Sequence, residues 1–259
     1  MGGGPGAPKG LFRWYGLQTT DAAAQAFYAS VAGWRPQNLG PQTNGYVLFG
    51  ASRGAIAGMT LGAGGREGPP RWRGYVAVDD VDKMLERVKA AGGRVLHIPV
   101  NVPGVLRFSE VADPEGARFI VYRGLGVDNT PWGAAEEPGY FGWHELWARD
   151  PASAFDFYAD LFGWSRSRAI AMGPMGAYQV WTDGRGFDVG AVMPLPEGAP
   201  APQWTYYVQV DGVGAAVERI RAAGGAITDN GPRQAPDGAW IVQGTDPQGA
   251  AFALRSAVR

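Results

Sequence analysis

The chain has 259 residues, of which 46% are hydrophobic and 18% charged, with a formal net charge of −1. This balance gives no general electrostatic attraction, so neither nucleic acid nor a membrane is expected as a partner. The absence of cysteine, together with only two histidines (His97 and His144), excludes thiolate zinc sites and counts against a histidine-rich metal centre.

The N-terminal residues 1–10 are rich in Gly and Pro and predict a flexible tail that lacks the apolar segment of a secretion signal. Because no apolar run is long enough to cross a bilayer, a cytoplasmic location is expected. Alternation and capping signals then predict four elements: a strand over 12–19, a helix over 22–31 with Asp21 as its N-cap, and strands over 46–49 and 54–61.

The same order of elements follows in the next stretch of chain. The predicted elements are a strand over 73–78, a helix over 80–91, and strands over 94–98, 106–111 and 118–122. The first stretch thus has three located strands and the second has four. We predict a strand–helix–three-strand module twice in each half, which amounts to eight strands and two helices per half.

An internal repeat with a shift of about 130 residues relates the two halves. The matched pairs are Trp14 with Trp143, Phe27-Tyr28 with Phe157-Tyr158, Gly33-Trp34 with Gly163-Trp164, Trp72 with Trp204, and Asp113-Pro114 with Asp246-Pro247. We predict a first domain over 11–123, a linker over 124–138 and a second domain over 139–257.

The segments GWHELWARDPASAFDFYADLFGW, DPEGARFIVY and DPQGAAFAL resemble those of the vicinal-oxygen-chelate superfamily, which includes glyoxalases, bleomycin-resistance proteins and dioxygenases. The chain is similar to its tandem, actinobacterial-type members over residues 11–257. The resemblance implies an α+β fold of two glyoxalase-like domains. Each would contain two βαβββ modules whose curved mixed sheets surround a cavity. The fold does not choose among the superfamily's functions.

The resemblance also marks three metal-ligand positions in each half. One lies on the first strand, one opens the fifth strand, and one follows the Asp-Pro turn by seven residues. They fall on Trp14, Arg73 and Ile120 in the first half and on Trp143, Thr205 and Ala253 in the second. Apart from Thr205, a weak ligand, these side chains do not bind metals in the ordinary way. We therefore expect no metal and no other cofactor.

Strand alternation gives each sheet an inner face that is rich in aromatic side chains with a few polar groups. The predicted ligand-binding residues are Trp14, Gln18, Arg73, Tyr75, Trp143, Trp147, Thr205 and Tyr207. Aromatic walls of this kind suit a planar organic molecule. The indoles of Trp34 and Trp164 are expected in the core, and those of Trp72 and Trp204 in the core or over the pocket.

Glu145 is a carboxylate on the inner face of a first strand, which makes it a candidate catalytic acid or base. The alternative is a structural carboxylate paired with an arginine or with backbone N–H groups. Alternation turns His144 away from this face, so we expect a hydrogen-bonded histidine under the helix. Glu110 is expected as a solvated strand residue, and His97 as a strand or loop residue.

These observations favour a glyoxalase/bleomycin-resistance-like protein that binds a small aromatic or polycyclic molecule without the usual metal. The alternative is a metal-independent lyase, isomerase or hydroxylase/oxygenase-type tailoring enzyme that uses Glu145. A metal-dependent lyase or dioxygenase is disfavoured by the ligand positions, and a pure interaction module stays open. The expected assembly is a monomer with paired domains or a homodimer.

Overall fold

A computed structural model describes residues 10–62, 68–124, 136–183, 185–228 and 231–259. Residues 1–9 of the predicted tail and most of the predicted linker lie outside these residues. The four helices within them are α1 (Ala24–Ala32), α2 (Val81–Ala90), α3 (Pro151–Phe162) and α4 (Val213–Ala222).

The strands divide equally between the two halves of the sequence. Those of the first half are β1 (Phe12–Thr19), β2 (Arg35–Asn38), β3 (Val47–Ala51), β4 (Gly54–Leu61), β5 (Arg71–Ala77), β6 (Arg94–Val95), β7 (Val100–Val102), β8 (Leu106–Ala112) and β9 (Arg118–Gly124). Those of the second half are β10 (Phe141–Ala148), β11 (Ser165–Ala171), β12 (Ala177–Thr182), β13 (Asp188–Pro194), β14 (Gln203–Gln209), β15 (Ala226–Ile227), β16 (Arg233–Gln234), β17 (Trp240–Thr245) and β18 (Ala251–Ser256).

The strand orders are β2-β3-β4-β1-β5-β9-β8-β6 and β11-β12-β13-β10-β14-β18-β17-β15, with β7 on β8 and β16 on β17. Parallel pairs such as β5–β9 occur beside antiparallel pairs such as β8–β9, so both sheets are mixed. This confirms the predicted α+β fold class. Each sheet has nine strands rather than eight. In the first sheet, β2 has no counterpart among the predicted ranges. The predicted strand over 94–98 stops at Val95, and a separate short strand, β7, follows Pro99.

Helix ends follow local chemistry. Asp150 caps α3 by accepting hydrogen bonds from the backbone N–H groups of Ala152 and Ser153. The equivalent prediction for Asp21 is wrong, because α1 begins only at Ala24 and Asp21 accepts from the Ala23 N–H before the first turn. Directly after Phe162, the last residue of α3, a glycine allows the left-handed backbone that ends the helix: Gly163 has φ 75°.

The described residues form two compact units, and each unit draws on both halves of the sequence. Unit 1 contains the described residues that lie within Met1–Arg13, Gly74–Asn129 and Glu145–Trp204. Unit 2 contains those within Trp14–Arg73, Thr130–His144 and Thr205–Arg259. The domain boundaries predicted from the repeat follow the sequence halves and stay a prediction.

A buried chain of three side chains joins the two halves inside unit 1. The Trp204 indole N–H donates to the Tyr158 hydroxyl at 3.0 Å, and that hydroxyl donates to Asp113 Oδ2 at 3.0 Å. The other oxygen, Oδ1, accepts from the backbone N–H groups of Gly116 and Ala117, both at 2.8 Å. The repeated Trp, Tyr and Asp are therefore core residues, and Trp204 is 8% exposed rather than a free lid.

Unit 2 contains the equivalent chain. The Trp72 indole N–H donates to the Tyr28 hydroxyl at 2.8 Å, which donates to Asp246 Oδ2 at 3.1 Å. Burial raises the pKa of the carboxyl groups of both Asp113 and Asp246, and their backbone and tyrosine donors offset part of that effect. Burial, followed by the Asp246 charge, raises the pKa of Tyr28 well above its usual value.

Candidate functional site

Strand β10 carries a row of three residues that alternation places on one face: Trp143, Glu145 and Trp147. Glu145 is 5% exposed. Within unit 1 its Oε1 accepts from the Trp147 indole N–H at 2.8 Å, and its Oε2 accepts from the Tyr178 hydroxyl at 2.9 Å. The carboxylate therefore has a donor on each oxygen and fixes the plane of the Trp147 indole.

The ring of Trp143, in unit 2, is held by a charged pair. The Arg255 guanidinium carbon lies 4.7 Å from the ring centroid, within the range of a cation–π contact. Arg255 in turn donates to both carboxylate oxygens of Asp237, at 3.2 and 2.9 Å. Because the side chains are only 15% and 4% exposed, this pair is shielded from solvent and fixes the guanidinium under the ring.

Tyr207 and Thr205 lie on β14 of unit 2. The register pairs Tyr207 with Ala253 on β18, and Ala253 with Gln243 on β17. The Gln243 amide donates to the Tyr207 hydroxyl at 2.7 Å, and both side chains are buried. Thr205 is half-buried.

In the first half, Trp14 and Gln18 lie on β1 in unit 2, where Gln18 is 3% exposed. The Trp14 indole N–H donates to the Tyr46 hydroxyl at 3.2 Å. That hydroxyl oxygen occupies the space of a side chain at Gly58, since an ideal Cβ there would lie 1.8 Å from it. Sequence reasoning missed Tyr46, and the signal would have been a glycine in the middle of strand β4.

Tyr75 and Arg73 occupy alternate positions on β5, as predicted, with Tyr75 in unit 1 and Arg73 in unit 2. Both are half-buried. The Tyr75 ring lies 6.2 Å from that of Phe108 and 6.0 Å from that of Tyr122, so this part of the first sheet is aromatic.

The strand register shows which residues lie beside the third metal-ligand position that the resemblance marks in each half. Ile120 pairs with Tyr75, and Ala253 pairs with Tyr207, so the residues beside the third position are tyrosines rather than Arg73 and Thr205. Isoleucine and alanine offer no ligand atom. Among the described residues, no three His, Cys, Asp or Glu side chains form a group that could hold a metal ion.

His144 is 7% exposed and hydrogen-bonded, as predicted: its Nε2 lies 2.6 Å from the Tyr15 hydroxyl. Its ring also packs edge-on against Tyr206, with the centroids 6.2 Å apart. These partners lie on strands β1 and β14, whereas the sequence suggested a position under a helix.

The prediction for Glu110 is wrong. Its side chain is only 3% exposed, and two basic side chains border it: His97 Nε2 lies 3.4 Å from Oε2, and the Arg118 guanidinium lies 4.0 Å from Oε1. Nothing in the local sequence indicates that Glu110, a charged residue near the end of a strand, is buried.

Two mixed sheets built from repeated βαβββ modules, with a tryptophan at the first ligand position of each half, define a glyoxalase-like protein. Family models match as well: a glyoxalase-like domain over residues 16–122, and the Glyoxalase/Bleomycin resistance protein/Dioxygenase superfamily over residues 140–254. The chain belongs to this superfamily. Within the described residues, no helix combines the length and apolar character needed to cross a membrane.

Relatives extend over almost the whole chain. The glyoxylase-type protein CFP32 of Mycobacterium tuberculosis is 35% identical over 95% of this chain and 94% of its own length. The anthracycline biosynthesis protein DnrV of Streptomyces peucetius is 31% identical over 96% of this chain and 93% of its own length. The Mn(II)-bound glyoxalase of Novosphingobium aromaticivorans has a TM-score of 0.65 at 19% identity, covering 97% of this chain and 83% of that structure, and shares the fold.

Proposed function

We propose that this protein binds a small planar aromatic or polycyclic molecule by stacking on aromatic side chains, without the usual metal of its superfamily. The observation that carries the proposal is the environment of Trp143. It stands at a position that the resemblance marks as a metal ligand, it is 5% exposed, and the Arg255 guanidinium, held by Asp237, lies 4.7 Å from its ring centroid. A ring fixed in this way loses little conformational entropy when a flat ligand stacks on it.

The relatives support the same ligand class. DnrV is named for anthracycline biosynthesis, and anthracyclines are fused, planar ring systems. Half-buried Thr205 and buried Tyr207, on strand β14 of the same unit, supply one further polar and one further aromatic group. A few polar groups among aromatic walls are typical of organic-ligand sites.

A metal-independent enzyme that uses Glu145 is the second candidate, because a carboxylate that is only 5% exposed is unusual on such a face. Its two hydrogen bonds argue for a positioning role, since both oxygens already accept a donor. Hydrogen-bond donors of this kind stabilise an ionised carboxylate and hold its orientation.

The binding proposal is tested by titrating the protein with 2-hydroxyanthraquinone and measuring the affinity calorimetrically. Trp143→Ala is expected to weaken binding by about 1–3 kcal/mol through lost stacking and burial. Trp240→Ala is the matched control, because Trp240 lies on β17 opposite Ser256 and contacts Arg259 instead. Equal effects of both substitutions, or none, would place the ligand elsewhere.

Glu145→Gln separates binder from enzyme. The amide oxygen can accept from Trp147, and the amide N–H group can donate to the Tyr178 hydroxyl once that hydroxyl turns round. A binder keeps its affinity within about threefold. An enzyme with Glu145 as its base loses turnover by roughly a hundredfold or more.

A further inference from the structure

Arg255, on strand β18 in unit 2, stands on the face of the sheet that is turned away from helix α1. Its neighbour Phe252 is buried, and the Phe252 ring lies 5.4 Å from that of Phe27 in α1. Alternation places Ala253 and Arg255 on the opposite side, and Ala253 pairs with Tyr207. Arg255 therefore shares the face of the sheet that carries Tyr207.

Asp237 lies in the turn between β16 and β17, also in unit 2. The sequence Ala-Pro-Asp-Gly-Ala over 235–239 is a typical turn signature. The Gly238 N–H donates to the Ala235 carbonyl oxygen at 2.8 Å, and the Ala235 N–H donates to the Ala239 carbonyl oxygen at 2.8 Å. The Ala239 N–H also donates to Asp237 Oδ1 at 3.3 Å. The turn itself therefore fixes the position of the carboxylate.

Arg255 and Asp237 form a two-point ion pair that is almost out of contact with solvent. Arg255 Nη1 donates to Oδ1 at 3.2 Å and Nη2 donates to Oδ2 at 2.9 Å. The side chains are 15% and 4% exposed. A guanidinium keeps its charge over the pH range in which proteins fold, and a carboxylate that accepts from it on both oxygens is ionised. The pair therefore has no net charge.

The position of this pair beside Trp143 makes its charge balance important. The guanidinium carbon lies 4.7 Å from the Trp143 ring centroid, and Trp143 is 5% exposed, so a ligand that contacts this ring is withdrawn from water. Two unit charges about 10 Å apart still attract enough, at an effective dielectric constant of about 20, to change an affinity roughly tenfold. Arg255 alone would therefore favour anionic ligands, and Asp237 cancels that attraction.

The duplication shows that the fold does not require this pair. Tyr122 occupies the position that corresponds to Arg255, nine residues after the Asp of the Asp-Pro turn in each half. The Tyr122 ring lies 6.0 Å from that of Tyr75, so an uncharged aromatic contact stands there in the first half. The same βαβββ module thus forms with or without the guanidinium, which points to a role for the charged pair beyond folding.

We propose that Asp237 makes the Trp143 site selective for uncharged planar aromatic molecules, because it cancels the charge of Arg255 beside the ring. An anionic ligand would lose its hydration at this site and find no net positive charge to replace it. Asp237 is a positioning residue, since it acts through Arg255. This inference rests on the proposed function and adds the charge class of the ligand.

The selectivity is measured by calorimetric titration at about pH 8 with two probes of one ring system: neutral 2-(hydroxymethyl)anthraquinone and anionic anthraquinone-2-sulfonate. We expect the unsubstituted chain to bind the neutral compound at least about tenfold more tightly. In Asp237→Asn the sulfonate should gain about tenfold relative to the neutral compound, because Arg255 keeps its charge. A merely structural role of Asp237 would lower both affinities by the same factor, the fraction of folded chain, and leave their ratio unchanged.

Two further variants complete the test. Arg255→Gln should move the ratio in the opposite direction, because the Asp237 carboxylate stays and repels the sulfonate; this variant decides the question if Asp237→Asn does not fold. Glu218→Gln is the matched control. It removes the same charge from an ion pair with Arg221 in which the side chains are 74% and 62% exposed, so water and salt screen it and the ratio should stay the same.

The outcomes separate this inference from the proposed function. If both compounds bind and the deciding variant leaves their ratio unchanged, the role of Asp237 is refuted and aromatic binding stands. Tighter binding of the sulfonate by the unsubstituted chain, or an equal shift of the ratio in Glu218→Gln, overturns the inference as well. If neither compound binds, the proposed function fails, and the inference fails with it.

Discussion

Tyr158→Phe tests the buried chain that joins the two halves inside unit 1. The substitution removes one hydroxyl and keeps the ring, which stacks on Trp164 with the centroids 5.3 Å apart. It deprives the Trp204 indole N–H and Asp113 Oδ2 of their contact with the hydroxyl, at sites that are 8% and 1% exposed. Each lost contact inside a core costs about 1–3 kcal/mol, so we expect a loss of about 3 kcal/mol in the free energy of unfolding.

Urea unfolding followed by far-UV circular dichroism measures this loss, and thermal unfolding should show a Tm lower by about 6–12 °C. Trp204→Phe provides the coupled variant, because it removes one of the two groups that depend on the hydroxyl. The double variant should therefore lose less than the sum of the single losses. A loss below about 0.5 kcal/mol for Tyr158→Phe, or strictly additive losses, would refute the role assigned to the chain.

Three further predictions follow from the same structure. The pKa of Asp113 and Asp246 is raised in the folded chain, so their contribution to stability is greatest below the unfolded value of 3.8 and decreases as the pH rises through the folded pKa. Asp246→Asn should therefore flatten that part of the curve of unfolding free energy against pH, measured by urea unfolding, and an unchanged curve would contradict the predicted direction of the pH dependence. Gly58→Ala should cost about 1–2 kcal/mol, because its Cβ displaces the Tyr46 hydroxyl, and Tyr46→Ala should abolish the added cost in a double-mutant cycle measured by thermal unfolding. Purified protein should hold far less than one equivalent of zinc, iron, manganese or nickel by elemental mass spectrometry, because the ligand positions carry Trp, Arg, Thr, Ile and Ala. Stoichiometric metal that remains after dialysis would mean that the alignment of these strands with those of metal-dependent family members is wrong.

The amino-acid sequence by itself determined the architecture. A repeat of about 130 residues and alternating apolar positions are enough to predict the duplication, most strands and the helices, because periodicity reports directly on local backbone geometry. The arrangement of the strands in mixed sheets was implied by the resemblance to the superfamily. The strand β1 was predicted at its observed bounds, Phe12–Thr19. Alternation also placed Trp143, Glu145 and Trp147 in one row, and the resemblance to the superfamily implied that Trp143 stands at a ligand position.

Only the tertiary structure decided which side chains meet. Tyr28 bonds to Asp246, 218 residues away, and no local pattern encodes a partner at that distance. The burial of Glu110 likewise depends on strands β8 and β9 and on the loop that carries His97. Sequence periodicity assigns a residue to a face of its strand. Whether that face meets solvent, another side chain or a ligand is determined by packing between segments that lie far apart in the chain.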